Sequence, residues 1–244
     1  MLKRTPSLTE QAKYHIKQMI LDDEFMDGRI PSETDLASEL GVSRTTIRDA
    51  LSRLEIEGVI YRKQGAGTFV NEAGLQIKSR LDEIWSYEAM LADHGYTPST
   101  QILAVSTEPA TPDIAAELNL NIGEELLVIK KLFLADAQPV ILAYNHIPTK
   151  LITQLYTNND FLSPVYNFLW ANGQHLSYYL SEIVPTLTST ELAATLHIQP
   201  QMPLISFTEI GYNDDNDPII KSTSWFRDDL LRLRLIRRQI PGSG

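Results

Sequence analysis

Arg44 and Arg48 stand four residues apart, directly after Ser43, with Thr45 and Thr46 between them. On a helix, that spacing puts two guanidinium groups on one face a turn apart. A guanidinium presents a rigid fork of donors that fits paired acceptors, such as the O6 and N7 edge of guanine, and threonine can meet a phosphate or a thymine methyl. The free N–H groups of a helix N-terminus favour phosphate as well. A second group, Arg62-Lys63-Gln64-Gly65-Ala66-Gly67, sets two cations and an amide beside glycines that let the backbone approach a groove closely. The chemistry predicted is contact with nucleic acid. Charge balance alone does not require it, since residues 1–70 hold 10 Lys+Arg against 11 Asp+Glu and could equally form a module with solvated charge.

These side chains need elements to hold them, and the sequence marks those elements. Gln11–Leu21 carries Tyr14, Ile16, Met19 and Ile20 near helical spacing, which predicts a first helix. Pro31-Ser32-Glu33-Thr34-Asp35 is a helix start, with Ser32 as N-cap and Asp35 three residues on closing a capping box. Leu36, Ala37 and Leu40 then form an apolar stripe, and Gly41 ends the helix where a positive φ is wanted. Ser43 caps the next helix, whose buried face is Ile47, Ala50, Leu51 and Leu54, and Gly58 stops it. Two helices joined by Leu40-Gly41-Val42-Ser43 make a helix-turn-helix, with Arg44, Thr45 and Arg48 on its exposed N-terminal half. Val59-Ile60-Tyr61 and Thr68-Phe69-Val70 are β-prone runs around the glycine-rich tip.

The rest of the chain has a different character. Of 244 residues with net charge −10, residues 71–244 hold 11 basic and 20 acidic side chains, so two modules with different partners are expected. An internal repeat runs through the second. Ile114-Ala115-Ala116-Glu117-Leu118 matches Leu192-Ala193-Ala194-Thr195-Leu196 at an offset of 78. Each copy is followed by an apolar run, then an acidic turn with proline, Asp136–Pro139 and Asp214–Pro218. Helix, strand, turn and strand, twice, predict a pseudo-symmetric domain whose strands share one antiparallel sheet.

The string from Ile30-Pro31-Ser32-Glu33 through Leu40-Gly41-Val42-Ser43-Arg44-Thr45-Thr46-Ile47-Arg48 to Gln64-Gly65-Ala66-Gly67-Thr68-Phe69-Val70 closely resembles the winged helix-turn-helix of GntR-family transcriptional regulators across residues 8–70. The second module resembles the UTRA effector domain of the HutC-type branch over about residues 78–238. The marks are Tyr96-Thr97-Pro98-Ser99-Thr100, Ala135-Asp136 with Pro139-Val140 and Ile147-Pro148, and Ser224-Trp225-Phe226-Arg227-Asp228. The resemblance implies a two-domain chain combining α/β and α+β character. It comprises a winged helix-turn-helix over 1–70, a linker over 71–79 and, over 80–244, a chorismate-lyase-like antiparallel sheet with helices. It further implies a cytoplasmic homodimer on palindromic operator DNA, acting as a repressor under control of a small-molecule effector. The DNA-contacting positions carry over to Ser43, Arg44, Thr45, Thr46, Arg48, Gln64, Gly65 and Gly67. Where some members have an arginine after the Pro-x-Glu, this chain has Thr34.

Members that bind sugar phosphates use two arginines ahead of the Ala-Asp turn, and those positions are Lys131 and Phe133. Further ligand positions of the family fall on Ala143, Pro164 and Ile220. An anionic ligand needs fixed cations and hydroxyl donors; the resemblance points to Ser86 and Tyr87, in the region that contacts the ligand, and to Lys131 and Tyr166, and with Tyr144, His146, Lys221, Trp225 and Arg227 these make the candidate effector-lining set. A sugar phosphate or another small anionic metabolite is the expected class. By the period of two, Tyr144 and His146 share one strand face with Leu142, a half-polar face that suits a pocket wall. Arg232–Leu235, with alternating character, is a candidate element of the dimer interface.

Several chemistries are set aside. With no cysteine there is no disulfide framework, thiolate metal site or cysteine nucleophile, and a reducing cytoplasm fits. The five histidines, His15, His94, His146, His175 and His197, lack metal-ligand spacing, so no metal or cofactor is expected. No phosphate loop, dinucleotide fingerprint or Gly-x-Ser-x-Gly occurs, and no apolar run is long enough for a membrane partner. The alternative is an enzyme on the chorismate-lyase-like domain with a DNA-targeting module. No catalytic residues suggest themselves for it.

Overall fold

A computed structural model of the chain describes residues 7–22, 24–75, 84–227, 229–231 and 233. They fall into two compact units, one ending and the other beginning within the 76–83 stretch.

The first unit opens with helix α1, Leu8–Leu21, started by Ser7, whose hydroxyl accepts the Glu10 N–H. Its buried face is Ala12, Ile16, Met19 and Ile20. Tyr14, expected on that stripe, is 65% exposed, because two residues from Ile16 is about 200° around a helix. A short strand that the sequence pattern does not announce, β1 (Arg29–Ile30), precedes α2 (Glu33–Leu40) and α3 (Arg44–Ile56). The capping box of α2 forms as expected: Ser32 Oγ accepts the Asp35 N–H, and the Asp35 carboxylate accepts the Ser32 N–H. Gly41 ends α2 at φ 66°, in the left-handed region. Ile47, Ala50, Leu51 and Leu54 of α3 are buried against α1 and α2. Strands β2 (Ile60–Lys63) and β3 (Gly67–Val70) form the hairpin, and β1 pairs with β3 to give the order β1-β3-β2.

Asn71–Leu75, at the start of the expected linker, is a turn of helix, α4 (Glu72–Leu75), seated on this unit. The Asn71 side chain donates to the Gly58 carbonyl at 2.8 Å, and Leu75 packs on the core. Gly74 lies so close that a Cβ there would come 1.9 Å from the same carbonyl oxygen. Residues 76–79 of the expected linker lie outside the described residues.

The second unit contains α5 (Tyr87–Asp93), β4 (Pro98–Pro109), α6 (Pro112–Glu117), β5 (Glu125–Ala135), β6 (Gln138–Pro148), α7 (Val165–Ala171), β7 (Leu176–Leu187), α8 (Thr190–Leu196), β8 (Pro203–Asn213) and β9 (Pro218–Phe226). The repeat is longer than the sequence match. Starts of α5 and α7, β4 and β7, α6 and α8, and β5 and β8 are each 78 residues apart. Six antiparallel strands run in the order β4-β5-β6-β9-β8-β7, so the halves meet at β6–β9, from Ile141 opposite Phe226 to His146 opposite Lys221. Asp136 and Ala137 both adopt positive φ, the requirement of a tight hairpin turn between β5 and β6.

Helices α6 and α8 cover one face of the sheet, burying Leu126 and Val128 or Leu132, Leu142 and Leu204. On the other face, Met90 and Leu91 of α5 pack with Phe133, Ile141 and Phe226, while Phe168 and Leu169 of α7 pack with Leu127 and Ile129. Burial of apolar surface stabilises by about 25 cal/mol per Å², and these two layers are where the second unit buries it. No described helix is long and apolar enough to cross a membrane. Arg232–Leu235 lies outside the described residues apart from Leu233.

Candidate functional sites

In the first unit, Ser43 is the N-cap of α3. Its hydroxyl accepts the Thr46 N–H at 3.1 Å and lies 2.9 Å from the Thr46 hydroxyl. Both polar groups therefore serve the helix start, and Thr46 is half-buried. Arg44, Thr45 and Arg48 are exposed on the same N-terminal half, because the opposite face is committed to the core. Arg44 has no ion-pair partner among the described residues. Arg48 is engaged: its Nε and Nη2 donate to Glu33 Oε2 of α2 at 3.2 and 3.1 Å. That contact holds the Glu33 carboxyl below the usual carboxylate range. Glu33 lies fifteen residues from Arg48 in sequence, so only the packing of α2 on α3 brings them together.

At the hairpin tip Gln64 and Gly65 are exposed, and Gly65 has φ 75°. Gly67, at φ 122°, gives room to the side chain of Arg29, whose Nε would lie 3.4 Å from a Cβ there. Arg29 is thus a cation at the wing that the motif did not reveal. Arg62 pairs with Glu55 at 3.2 Å, while Lys63 remains exposed. The arrangement is a capped helix end with a free arginine, beside a glycine-tipped hairpin carrying further cations.

In the second unit, a cavity of about 460 Å³ lies on the α5/α7 face of the sheet. Of the candidate effector residues it brings together Ser86, Tyr87, Lys131 and Tyr166. Phe133, Ala143 and Pro164, at family ligand positions, line it too. Ser86 caps α5 by accepting the Ala89 N–H at 2.9 Å. Tyr87 donates to Ser224 Oγ at 2.9 Å and stands edge-on to Phe133 and Phe226; burial pushes its phenol far above its ordinary range. Lys131 is 2% exposed, its Nζ donating to the Ser163 carbonyl at 2.9 Å above the Phe133 ring. Burial pushes its ammonium down to about 8, opposed by Glu88.

The other five candidates lie elsewhere, for reasons of strand parity and pairing. Tyr144, His146 and Trp225 line a smaller cleft of about 280 Å³ under α8, on the opposite face, since Ala143, Asn145 and Ser224 are the residues that point to the cavity side. Lys221, next to Ser222, is also on the far face and is ion-paired with Glu117 of α6. Ile220 packs in the core. Arg227, only 9% exposed, donates to the carbonyls of Pro139 and Leu196 and pairs with Asp229 at 2.6 Å, so it ties the end of β9 to β6 and α8.

The cavity also holds charged residues that the motif did not single out. Glu88 Oε1 accepts the Thr100 hydroxyl at 2.9 Å, and its buried Oε2 has no hydrogen-bond partner among the described residues. Glu209 accepts the Ser181 hydroxyl at 2.5 Å, and burial pushes its carboxyl up. Ser222 donates to Asn145 at 2.8 Å, so Asn145, Ser222, Glu209 and Ser181 form a polar row across four strands. No three His, Asp or Glu side chains cluster as a metal site among the described residues.

Comparison with known proteins places both units. Residues 8–70 match the family of bacterial regulatory proteins named gntR, and residues 93–232 match the UTRA domain. NagR of Bacillus subtilis, an HTH-type transcriptional repressor, is 29% identical over 223 residues, which is 91% of this chain and 89% of that protein. MngR of Escherichia coli, the mannosyl-D-glycerate transport/metabolism system repressor, is 24% identical over 95% of this chain and 96% of its own length. The fold is shared with YydK of Bacillus subtilis (TM-score 0.74, 18% identity, 98% of this chain and 100% of that one). It is also shared with PhnF of Mycobacterium smegmatis (TM-score 0.61, 22% identity, 93% and 99%). Matched along both units to proteins of one kind, the chain belongs to the GntR family of bacterial regulators in its UTRA-bearing branch, and is a transcriptional regulator rather than an enzyme.

Proposed function

We propose that the chain is a cytoplasmic repressor that binds palindromic operator DNA as a homodimer and responds to a small polar metabolite held in the cavity over the sheet. The observation that carries the reading is the free Arg44 on a capped helix end beside the wing, in a chain whose second unit encloses a built cavity with a buried lysine. Arg44 and Thr45 read bases, Ser43 and Thr46 fix the helix end against a phosphate, Arg48 joins them on leaving Glu33, and Gln64, Gly65 and Gly67 take the wing into the minor groove. Lys131 receives the anionic or acceptor end of the effector, with Ser86, Tyr87 and Tyr166 around it. The sugar named for MngR supports a sugar-derived metabolite. Effector and operator are linked because the effector binds the DNA-competent and incompetent arrangements with different affinity, and only that difference shifts occupancy.

The test is fluorescence anisotropy of the purified chain with DNA from upstream of its own gene, at two salt concentrations, with and without a panel of sugar phosphates and small acids. Tight, salt-sensitive binding relieved by a panel member supports the reading. Absence of sequence-specific binding at either salt refutes it. Light scattering of the same sample decides between one chain and two.

A further inference from the structure

Lys131 is the seventh residue of β5, and Glu209 is the seventh residue of β8. The two are 78 residues apart, the offset that relates the halves of the unit. They therefore occupy equivalent places on either side of the central β6–β9 pair, facing one cavity. The backbone of the floor is repeated and its charge is reversed. Three strand intervals separate them, roughly 14 Å between backbones, with the side chains reaching inward.

The two ends are unequally satisfied. Lys131 spends one of its three donors on the Ser163 carbonyl and has Glu88 as a nearby countercharge, though not within ion-pair distance. At the other end, the donor to Glu209 among the described residues is the neutral Ser181 hydroxyl, and no cation pairs with it there. Glu209 is half-buried, and a carboxylate withdrawn from water without a countercharge is costly. A ligand hydroxyl would fill its lone pairs and leave the charge; an ammonium does both. Tyr179 and Phe207, each two residues along its strand from the Ser181–Glu209 pair, also line the cavity, and aromatic rings attract a cation to their faces. A ligand carrying only negative charge would meet two carboxylates and one lysine.

We propose that the effector is bipolar: a small molecule with an ammonium group held at Glu209 and an acceptor group, a carboxylate or a phosphate, held at Lys131. The inference rests on the cavity being the effector site and adds the second charge to it. The unpartnered oxygen of Glu88 accepts a further donor, such as a hydroxyl, near the Lys131 end.

The test is the melting temperature of the full chain, followed by tryptophan fluorescence, with matched pairs that differ only in amine against hydroxyl. Suitable pairs are O-phosphoserine with 3-phosphoglycerate, glucosamine 6-phosphate with glucose 6-phosphate, and glutamate with 2-hydroxyglutarate. The expected result is binding of amine members about ten- to hundredfold tighter than their hydroxyl partners, the range of a charge-assisted hydrogen bond. Glu209→Gln should shrink that ratio to a few-fold. A hydroxyl member binding as well as its amine, a ratio unchanged in Glu209→Gln, or no shift from any pair overturns the proposal. If Glu209→Gln does not fold, the wild-type ratio within each pair decides alone. Operator anisotropy in parallel separates the two levels: an amine that binds but leaves operator affinity unchanged refutes the regulatory reading and leaves the bipolar cavity standing.

Discussion

Replacing Lys131 by methionine should make the second unit more stable and insensitive to effector. The buried ammonium sits at about 8 instead of its ordinary 10.5. At neutral pH both folded and unfolded chains carry the proton, so the folded state bears the whole desolvation cost, about 3 kcal/mol for a shift of that size. The sign follows from linkage. Between pH 8 and 10.5 the unfolded chain holds the proton and the folded chain does not, so this group's contribution to stability rises with pH across that window. Methionine keeps the length and apolar contacts of the stem but strands the Ser163 carbonyl, which costs about 1 kcal/mol or more. The net gain expected at pH 7 is about 1–2 kcal/mol, fading by pH 10.5. All three tryptophans, Trp85, Trp170 and Trp225, belong to the second unit, so their fluorescence in a urea titration reports that unit in the intact chain. The midpoint should move up by roughly 0.5–1 M urea. A lower midpoint at pH 7, or a difference that does not change between pH 7 and 10, would refute the reasoning and make Lys131 an anchor for α7.

Arg44→Ala should weaken operator binding about ten- to hundredfold and relax preference at particular base pairs; an equal loss on all sequences, read by anisotropy, would make Arg44 a phosphate contact. Glu33→Gln should release Arg48, tighten operator binding several-fold and steepen its salt dependence, whereas weaker binding would mean that Glu33 positions Arg48 for the DNA. Ser43→Ala should cost about 1 kcal/mol of cap energy in the first unit, visible as a lower thermal midpoint by circular dichroism; no change would mean that the Thr46 hydroxyl replaces the cap.

The first unit was largely legible because its signals are local. Ser32 with Asp35, Gly41 and Ser43 are punctuation within three or four residues, and the structure keeps each one. Tyr14 lies in the expected helix but off its buried face, because it stands two residues from Ile16. Strand β1 is two residues long, too short for a period. In the second unit the repeat is visible in the sequence and its offset of 78 leads from Lys131 to Glu209, but that the two face one cavity depends on how the strands pair. Period two correctly put Tyr144 and His146 on one face with Leu142, but it cannot say which face a cavity occupies. That depends on where α5 and α7 pack. Lys221 and Arg227 look available in sequence because Glu117, Pro139 and Leu196, which occupy them, are 31 to 104 residues away.

The seam between β6 and β9 sets an order of events. Among the described residues, the strand pairings of the winged module lie within residues 29–70, so those pairings can form once that segment is made. The second unit is not so local. Among the described residues the sheets of its two halves are hydrogen-bonded to each other at β6–β9, a pairing of strands about 80 residues apart in sequence, and pairings so distant close slowly. The floor of the cavity needs Asn145 from one side of the seam and Ser222 from the other. During synthesis from the N-terminus the DNA-reading surface therefore forms first. The floor of the cavity is complete only once β9 has been made.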